Sequence, residues 1–261
     1  MRILICGYGN IGRHLENEFK RLCGEISIYD KYKSQEVTNW CGSLVGDNAL
    51  SMFYDYAFVA VPTEMLSDGS CDTSEVEWIV DRLTADVIII KSAVPVTICG
   101  KLKETGKHIV ISPEYYGTTQ HSLESPNFVV FGGEKEACHK AARLYSRVKD
   151  GSFRYIYTTI ETAALAKYME NCWIATKVTF CNEFAKIAKH FNVAYEELRE
   201  CFIADERVSP SHTYVYPDKP YYDSHCLNKD IPALIQQCCT SGMEVPFMQS
   251  VNLINIKSKK E

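Results

Sequence analysis

The chain has 261 residues, 46% of them hydrophobic, a formal net charge of -5 and no basic block apart from the short tail Lys257, Lys259 and Lys260. This is enough for one large globular domain or two smaller ones, each with a core, and it argues against nucleic acid as the main partner and for small molecules instead. The twelve cysteines are spread from Cys6 to Cys239 with no CxxC pair and no His/Cys cluster at ligand spacing, so no metal site is expected and most thiols read as reduced core residues. Met1 runs almost directly into an apolar strand pattern and no apolar run approaches membrane-spanning length, which predicts a cytoplasmic protein without a signal peptide.

Residues 2–30 read as strand, tight turn, helix and strand: RILICGYG, NIGRHLENEFKRL and EISIYD. The turn carries Gly7, Gly9 and Gly12, and Asp30 follows eighteen residues after the last of them at the end of the second strand. A dinucleotide explains each position: Gly7 permits the turn, Gly9 admits the pyrophosphate to the backbone, Gly12 lets helix and strand pack, and the helix N-terminus faces the phosphates. Asp30 would accept from both ribose hydroxyls and repel a 2′-phosphate, so NAD is expected over NADP.

Strand and helix continue to alternate. YAFVAVP (56–62) and DVIIIKSAVP (86–95) are apolar runs of the kind a parallel sheet buries on both faces, separated by a helix in SEVEWIVDRLTA. KHIVISPEYYG and NFVVFGG add strands, EKEACHKAARLYSRV a helix, and FRYIYT closes the sheet. Loops after strand carboxyl ends bind ligands in open α/β sheets, so Val61 to Thr63, Lys91 to Ala93 and Ser112 to Glu114 should line one crevice. The fold class is therefore α/β: a Rossmann-type doubly wound parallel sheet over residues 1–157, followed by an all-helical domain over 158–261 with one long central helix.

That helix runs from Thr159 to about Phe191 without Pro or Gly. Lys167 and Asn171 lie four apart on one face, with Asn182 on nearly the same side. Leu165, Met169, Trp173, Ile174, Val178 and Phe180 spread apolar surface around more of its circumference than one small domain covers, which predicts a dimer element. A second helix spans Tyr195 to Ile203. An irregular stretch with three prolines then delivers the chain to DSHCLNKD (223–230), and apolar helical stretches at Ile231 to Cys239 and Val245 to Ile256 end it. If DSHCLNKD opens a helix, Lys229 and Asp230 sit within about one turn of Cys226, where an ammonium can hold a thiolate and a carboxylate can orient water. The plainer reading makes Asn228 or Asp230 an N-cap and leaves Cys226 and His225 in an extended, exposed loop.

GYGNIG, VPT (61–63), KSAVP (91–95), SPEY (112–115), AKYMENCWIATKVTFCNE (166–183), ADERV (204–208) and CLNKD (226–230) together resemble, in collinear order, the UDP-glucose/GDP-mannose dehydrogenase family. The resemblance implies two NAD-dependent oxidations of a nucleotide-sugar primary alcohol to a carboxylate. Lys167 would stabilise the alkoxide and later oxyanions, Asn171 would hydrogen-bond the same oxygen, and Cys226 would carry a thiohemiacetal and then a thioester. Glu114 and Asp230 would orient water or relay protons. The cofactor would be held by Gly7, Tyr8, Gly9, Asn10, Ile11, Gly12, Asp30, Val61, Pro62, Thr63, Ser92 and Lys229. The substrate would be held by Glu114, Tyr115, Lys167, Asn171 and Arg207, with Arg207 reaching a neighbouring subunit's site in a homodimer. The sequence departs from the family at Ala93, where threonine is usual, at Thr118 in place of a second glutamate, and at Ser224, His225 and Asn228 around the cysteine; the family also continues into a further nucleotide-gripping domain. Two other functions fit the same motifs. A 3-hydroxy-acid dehydrogenase shares the Lys-x-x-x-Asn face and needs no cysteine, and a catalytically silent NAD-binding scaffold would explain the departures at 93 and 118.

Overall fold

The computed structural model describes residues 1–22, 26–33, 42–115 and 126–260. These divide into two compact units: residues 1–64, 71–115 and 126–167 form the first, and 65–70 with 168–260 the second, so that the division falls inside the long helix.

In the first unit, β1 (Ile3–Cys6), β2 (Ile26–Tyr29), β3 (Ser43–Leu44), β4 (Phe53–Val59), β5 (Thr84–Ile90), β6 (Ile109–Ile111), β7 (Phe128–Gly133) and β8 (Arg154–Thr158) form a sheet in the order β3-β2-β1-β4-β5-β6-β7-β8. All neighbouring pairs run parallel except β6 and β7. The sheet is thus mostly parallel rather than wholly so, because β7 enters beside β6 in the reverse direction, with Val110 opposite Gly133. Both faces are covered. Ile3, Ile5, Phe58, Val87 and Ile89 point to one core with residues of α1 (Asn10–Phe19) and α4 (Lys135–Tyr145). Their alternates Leu4, Cys6, Val59, Ile88 and Ile90 point to another with α2 (Ser74–Arg82), α3 (Cys99–Glu104) and the start of α5 (Ile160–His190). Alternate residues on a pleated strand face opposite sides, so a sheet coated on both faces needs apolar residues at every central position, which is what the runs ILIC and VIII supply. The strands at 56–62 and 86–95 end earlier than the apolar pattern suggests, at Val59 and Ile90. Pro62 and Pro95 cannot donate to a ladder, and the residues before them leave the sheet to form loops at its carboxyl end.

The second unit is helical: the rest of α5, α6 (Tyr195–Ile203), α7 (His225–Thr240) and α8 (Pro246–Ser258). Its core joins Cys172, Ala175, Tyr222, Leu227, Ile231 and Val251, with Ile174 and Val178 packed against it. Leu165, Met169, Trp173 and Phe180, by contrast, are exposed, Met169 at 73%. The α8 start agrees with the sequence expectation to within one residue, but the α7 start does not. α7 begins at His225, six residues before Ile231, and its N-cap is Ser224, whose Oγ accepts from the Leu227 N–H (3.2 Å). Asn228 and Asp230 are therefore inside the helix and cap nothing, and Cys226 and His225 lie in its first turn rather than in an extended loop. Serine outcompetes them because it precedes the first apolar helical position, Leu227, by three residues, the spacing at which a hydroxyl reaches a free first-turn amide. No helix among the described residues is long and apolar enough to cross a membrane.

Candidate functional site

The first cluster surrounds the turn after β1. Gly7 adopts φ +92°, and a Cβ there would come within 2.5 Å of the Ala60 carbonyl oxygen; a Cβ at Gly12 would come within 2.1 Å of the Gly7 oxygen. Both glycines are required by the chain itself. Gly9, the N-cap of α1, differs: a Cβ there meets nothing within 4 Å. Open space above a helix N-terminus whose first amides lack intrahelical partners fits a dinucleotide phosphate. Asp30 lies beside it. Its Oδ2 accepts from the Tyr8 N–H (2.8 Å) and its Oδ1 from the Tyr32 N–H (3.0 Å), which fixes the carboxylate while leaving lone pairs on both oxygens. Asn10 and Ile11 open α1. The Tyr8 side chain is turned inward, 4% exposed, with its hydroxyl on the buried Glu16 carboxylate, whose other oxygen accepts from the Gly42 N–H (2.8 Å). The Tyr8 side chain is thus engaged within the chain, and Glu16, which nothing in the glycine pattern signals, braces the turn from behind.

The β4 and β5 ends are tied by two crossed hydroxyls. Ser92 Oγ donates to the Val61 carbonyl (2.7 Å) and Thr63 Oγ1 to the Ala93 carbonyl (2.9 Å). Val61, Thr63 and Ser92 are buried and Pro62 is exposed. Next to them Lys91, 3% exposed, places its ammonium 3.3 Å from Glu114 Oε2 and 3.5 Å from Ser112 Oγ. The sequence places Lys91 on the crevice without naming its partner; a lysine ending the apolar run VIII signals an ammonium that has to be buried with one. On the same unit Lys167 holds its ammonium 5.0 Å from the Tyr115 ring centre. The position Thr118 lies outside the described residues.

The second cluster is at the start of α7. Asp230, 1% exposed, accepts from Asn171 Nδ2 (2.6 Å) on one oxygen and from the Lys229 ammonium (2.7 Å) on the other. A buried carboxylate is tolerated because both oxygens are met, one of them by a cation. Asn171 keeps its second amide hydrogen for another acceptor. Cys226 is exposed, one turn before Asp230 on the same helix. Burial separates it from several other thiols: it pushes Cys99 and Cys138 up to about 11 and Cys172, with the Asp230 charge adding to it, up to about 12. Such thiols stay protonated and inert.

The segment leading into α7 is stapled by side chains that sequence reasoning did not select. Asn255 of α8 accepts from the Tyr222 N–H (2.8 Å) and donates to the Tyr222 carbonyl (3.1 Å). Asp223 accepts from Lys259 (2.7 Å) and Asn228 (2.9 Å) and lies 3.1 Å from Lys219, and these hydrogen bonds hold its carboxyl well below the usual carboxylate range. Nothing in the spacing of polar residues distinguishes such a staple from a solvated surface. Arg207, 88% exposed at its side chain, is held by Asp205, its Nε 3.0 Å from Oδ1. Among the described residues no group of three or more His, Cys, Asp or Glu is placed to hold a metal ion.

Residues 161–257, which carry Lys167, Asn171, Cys226, Lys229 and Asp230, match the model of the UDP-glucose/GDP-mannose dehydrogenase family, central domain. Over residues 161–257 the chain is similar to that family's central domain. Among curated relatives, a UDP-glucose 6-dehydrogenase of Pseudomonas aeruginosa is 25% identical over 226 residues, covering 79% of this chain and 49% of the relative. The chain spans about half the length of the curated relatives it matches first. Among solved structures, a UDP-glucose dehydrogenase from the hyperthermophilic archaeon Pyrobaculum islandicum superposes with a TM-score of 0.82 at 20% identity, covering 98% of this chain and 68% of that one. A 3-hydroxyisobutyrate dehydrogenase of Mycobacterium tuberculosis gives 0.74 at 15% identity, covering 98% and 92%. At these identities the structural likeness establishes the fold, a mostly parallel Rossmann-type sheet followed by helices.

Proposed function

We propose that the chain is an NAD-dependent dehydrogenase that oxidises the primary alcohol of a nucleotide sugar to a carboxylate through a thioester on Cys226. The observation that carries this reading is the buried Asn171–Asp230–Lys229 network one turn from an exposed cysteine at a helix N-terminus. NAD would be held by the Gly7–Gly12 turn and Asp30 and, when bound, would accept electrons from the substrate carbon in each of two oxidations. The chain's own residues do the rest. Lys167 would stabilise the alkoxide as the alcohol loses its proton, and Asn171, oriented by Asp230, would donate its remaining amide hydrogen to the same oxygen. Cys226 Sγ would then add to the aldehyde carbon to form a thiohemiacetal, whose oxidation leaves a thioester. Hydrolysis of the C–S bond releases the acid and returns the thiol. Glu114, paired with Lys91, would orient the water.

A homodimer built on the exposed face of α5 belongs to the same proposal. Met169, Trp173 and Phe180 offer apolar surface there, and Arg207 would extend toward the neighbouring subunit. The alternative, a 3-hydroxy-acid dehydrogenase, is favoured by the near-complete coverage of the 3-hydroxyisobutyrate enzyme and makes no use of Cys226. Hydride stoichiometry separates the two: two NADH per product with a panel of nucleotide sugars support the first, and one NADH with 3-hydroxy acids the second. A dimer at micromolar concentration, measured by sedimentation, supports the assembly, and a monomer contradicts it.

A further inference from the structure

Cys226 is the second residue of α7, and side chains on either side of it in sequence close a ring through the end of α8. Asp223, three residues before Cys226, accepts from Asn228, two residues after it (2.9 Å), and from Lys259, the C-cap of α8 (2.7 Å). Lys259 also donates to the Asn228 side-chain oxygen (2.8 Å), so each of the three holds the other two, and Lys219 brings a second ammonium to 3.1 Å from the carboxylate. The ring has a fixed base, because the buried Asn255, four residues before Lys259, grips both backbone polar groups of Tyr222. Asn228 is the fourth residue of α7, so its bond to Asp223 folds that carboxylate back against the turn that carries Cys226. The other charges near that turn, Lys229 and Asp230, pair with each other (2.7 Å). Asp223, by contrast, takes its compensation from outside the helix.

Two demands on this helix start conflict. A carboxylate ahead of a helix N-terminus is favoured by the helix dipole, yet the same charge opposes a thiolate on the first turn. Hydrogen bonds, first among them that from Lys259, hold the Asp223 carboxyl well below the usual carboxylate range, so the charge is present at neutral pH. An ammonium seated on the carboxylate meets both demands. We propose that Lys259 is a positioning residue for Cys226: bonded to Asp223 and Asn228, it cancels a negative charge that would otherwise face the nucleophile, and so sets how readily Cys226 reacts. The inference rests on Cys226 being the nucleophile of the reading above. The side chains of Lys259 and Asp223 are 29% and 39% exposed, so the effect is modest and open to screening by salt.

Alkylation by iodoacetamide at pH 7.5, followed cysteine by cysteine by peptide mass spectrometry, tests this without substrate or cofactor. Cys201 and Cys239, also exposed, serve as controls within the same chain. At low ionic strength Lys259→Met should slow the reaction of Cys226 about threefold, Asp223→Asn should speed it by a similar factor, and Lys259→Arg should keep the parent rate, with the controls unchanged in all three. In 1 M salt the rates should converge. A loosened helix start would instead move Lys259→Met and Asp223→Asn in the same direction and would not respond to salt. Changes of one sign in those two variants, unchanged rates, a Lys259→Arg rate as low as that of Lys259→Met, or differences that persist in 1 M salt would each overturn the inference. Such a failure leaves the catalytic reading standing, because alkylation involves no turnover; carboxylate production at the parent rate by Cys226→Ser would remove that reading whatever the alkylation rates.

Discussion

The glycine turn after β1 and the first turn of α7 both place candidate functional groups at a helix N-terminus, but they are held by different forces. At the glycine turn the geometry is set by backbone approaching backbone: 2.1 and 2.5 Å separate hypothetical Cβ atoms from carbonyl oxygens at Gly12 and Gly7. At α7 the geometry is set by charge, with the Asp230 carboxylate joining Lys229 to Asn171 of α5 and Asp223 joining α8 to the segment ahead. The first region should therefore fail when volume is added, and the second when charge is removed.

Asp230→Ala should have the largest effect. It removes the carboxylate that pairs with the Lys229 ammonium and accepts from Asn171, and removing one partner of a buried pair costs about 3–5 kcal/mol. Chemical denaturation of the variant measures it, and a loss below about 1 kcal/mol would mean that water reaches the pair. Gly12→Ala comes next, at about 1–3 kcal/mol, since the Gly7 carbonyl has to move aside for the methyl. Gly9→Ala, three residues away, sharpens the contrast: stability should be unchanged, while NAD affinity falls, because the methyl occupies only space outside the chain. Equal NAD affinity in the two proteins would remove the phosphate from that position.

The smallest effect concerns Asp223. Its folded pKa is depressed, chiefly by hydrogen bonds from Lys259, Asn228 and Lys219, so the stability it contributes is complete above the unfolded value near 3.9 and is lost as pH falls through the lower folded value. The carboxylate is 39% exposed, so solvent screens the interaction and the effect should be small and salt-dependent. Asp223→Asn should be less stable than the parent by a constant amount from neutral pH down to about 4 and converge on it in stronger acid. Curves that stay parallel below about pH 4, without converging in stronger acid, would contradict the staple.

The two regions also differ in how far they can be read from residues alone. The glycine turn is legible because Gly7 and Gly12 answer local steric demands that recur wherever a strand turns tightly into a helix, and the alternation of buried strands gives the sheet. The antiparallel entry of β7 is not legible, since parallel and antiparallel buried strands carry the same apolar pattern. At α7 the helical spacing correctly brings Cys226, Lys229 and Asp230 into one turn, and the long helix and α6 follow from periodicity. The start of α7 does not follow, because Ser224, Asn228 and Asp230 are all acceptable caps and only packing of Leu227 and Ile231 decides among them. The partners of Lys91 and Asn255 are not legible for a related reason: Glu114 and Tyr222 lie far off in sequence, and spacing alone does not pair them.

The proposed mechanism requires that Cys226 become acylated. Oxidation of UDP-glucose and related nucleotide sugars with excess NAD, followed by rapid mixing and intact-protein mass spectrometry, tests it most directly. In the proposed mechanism Ala93 offers no hydroxyl to position water, and loss of one positioning group costs on the order of 100-fold in rate, so hydrolysis should be the slow step. A burst approaching two NADH per chain and an acyl adduct on Cys226 are expected, with Cys226→Ser stopping at the aldehyde. Carboxylate production by Cys226→Ser at the parent rate, or a linear time course with no adduct, would contradict it.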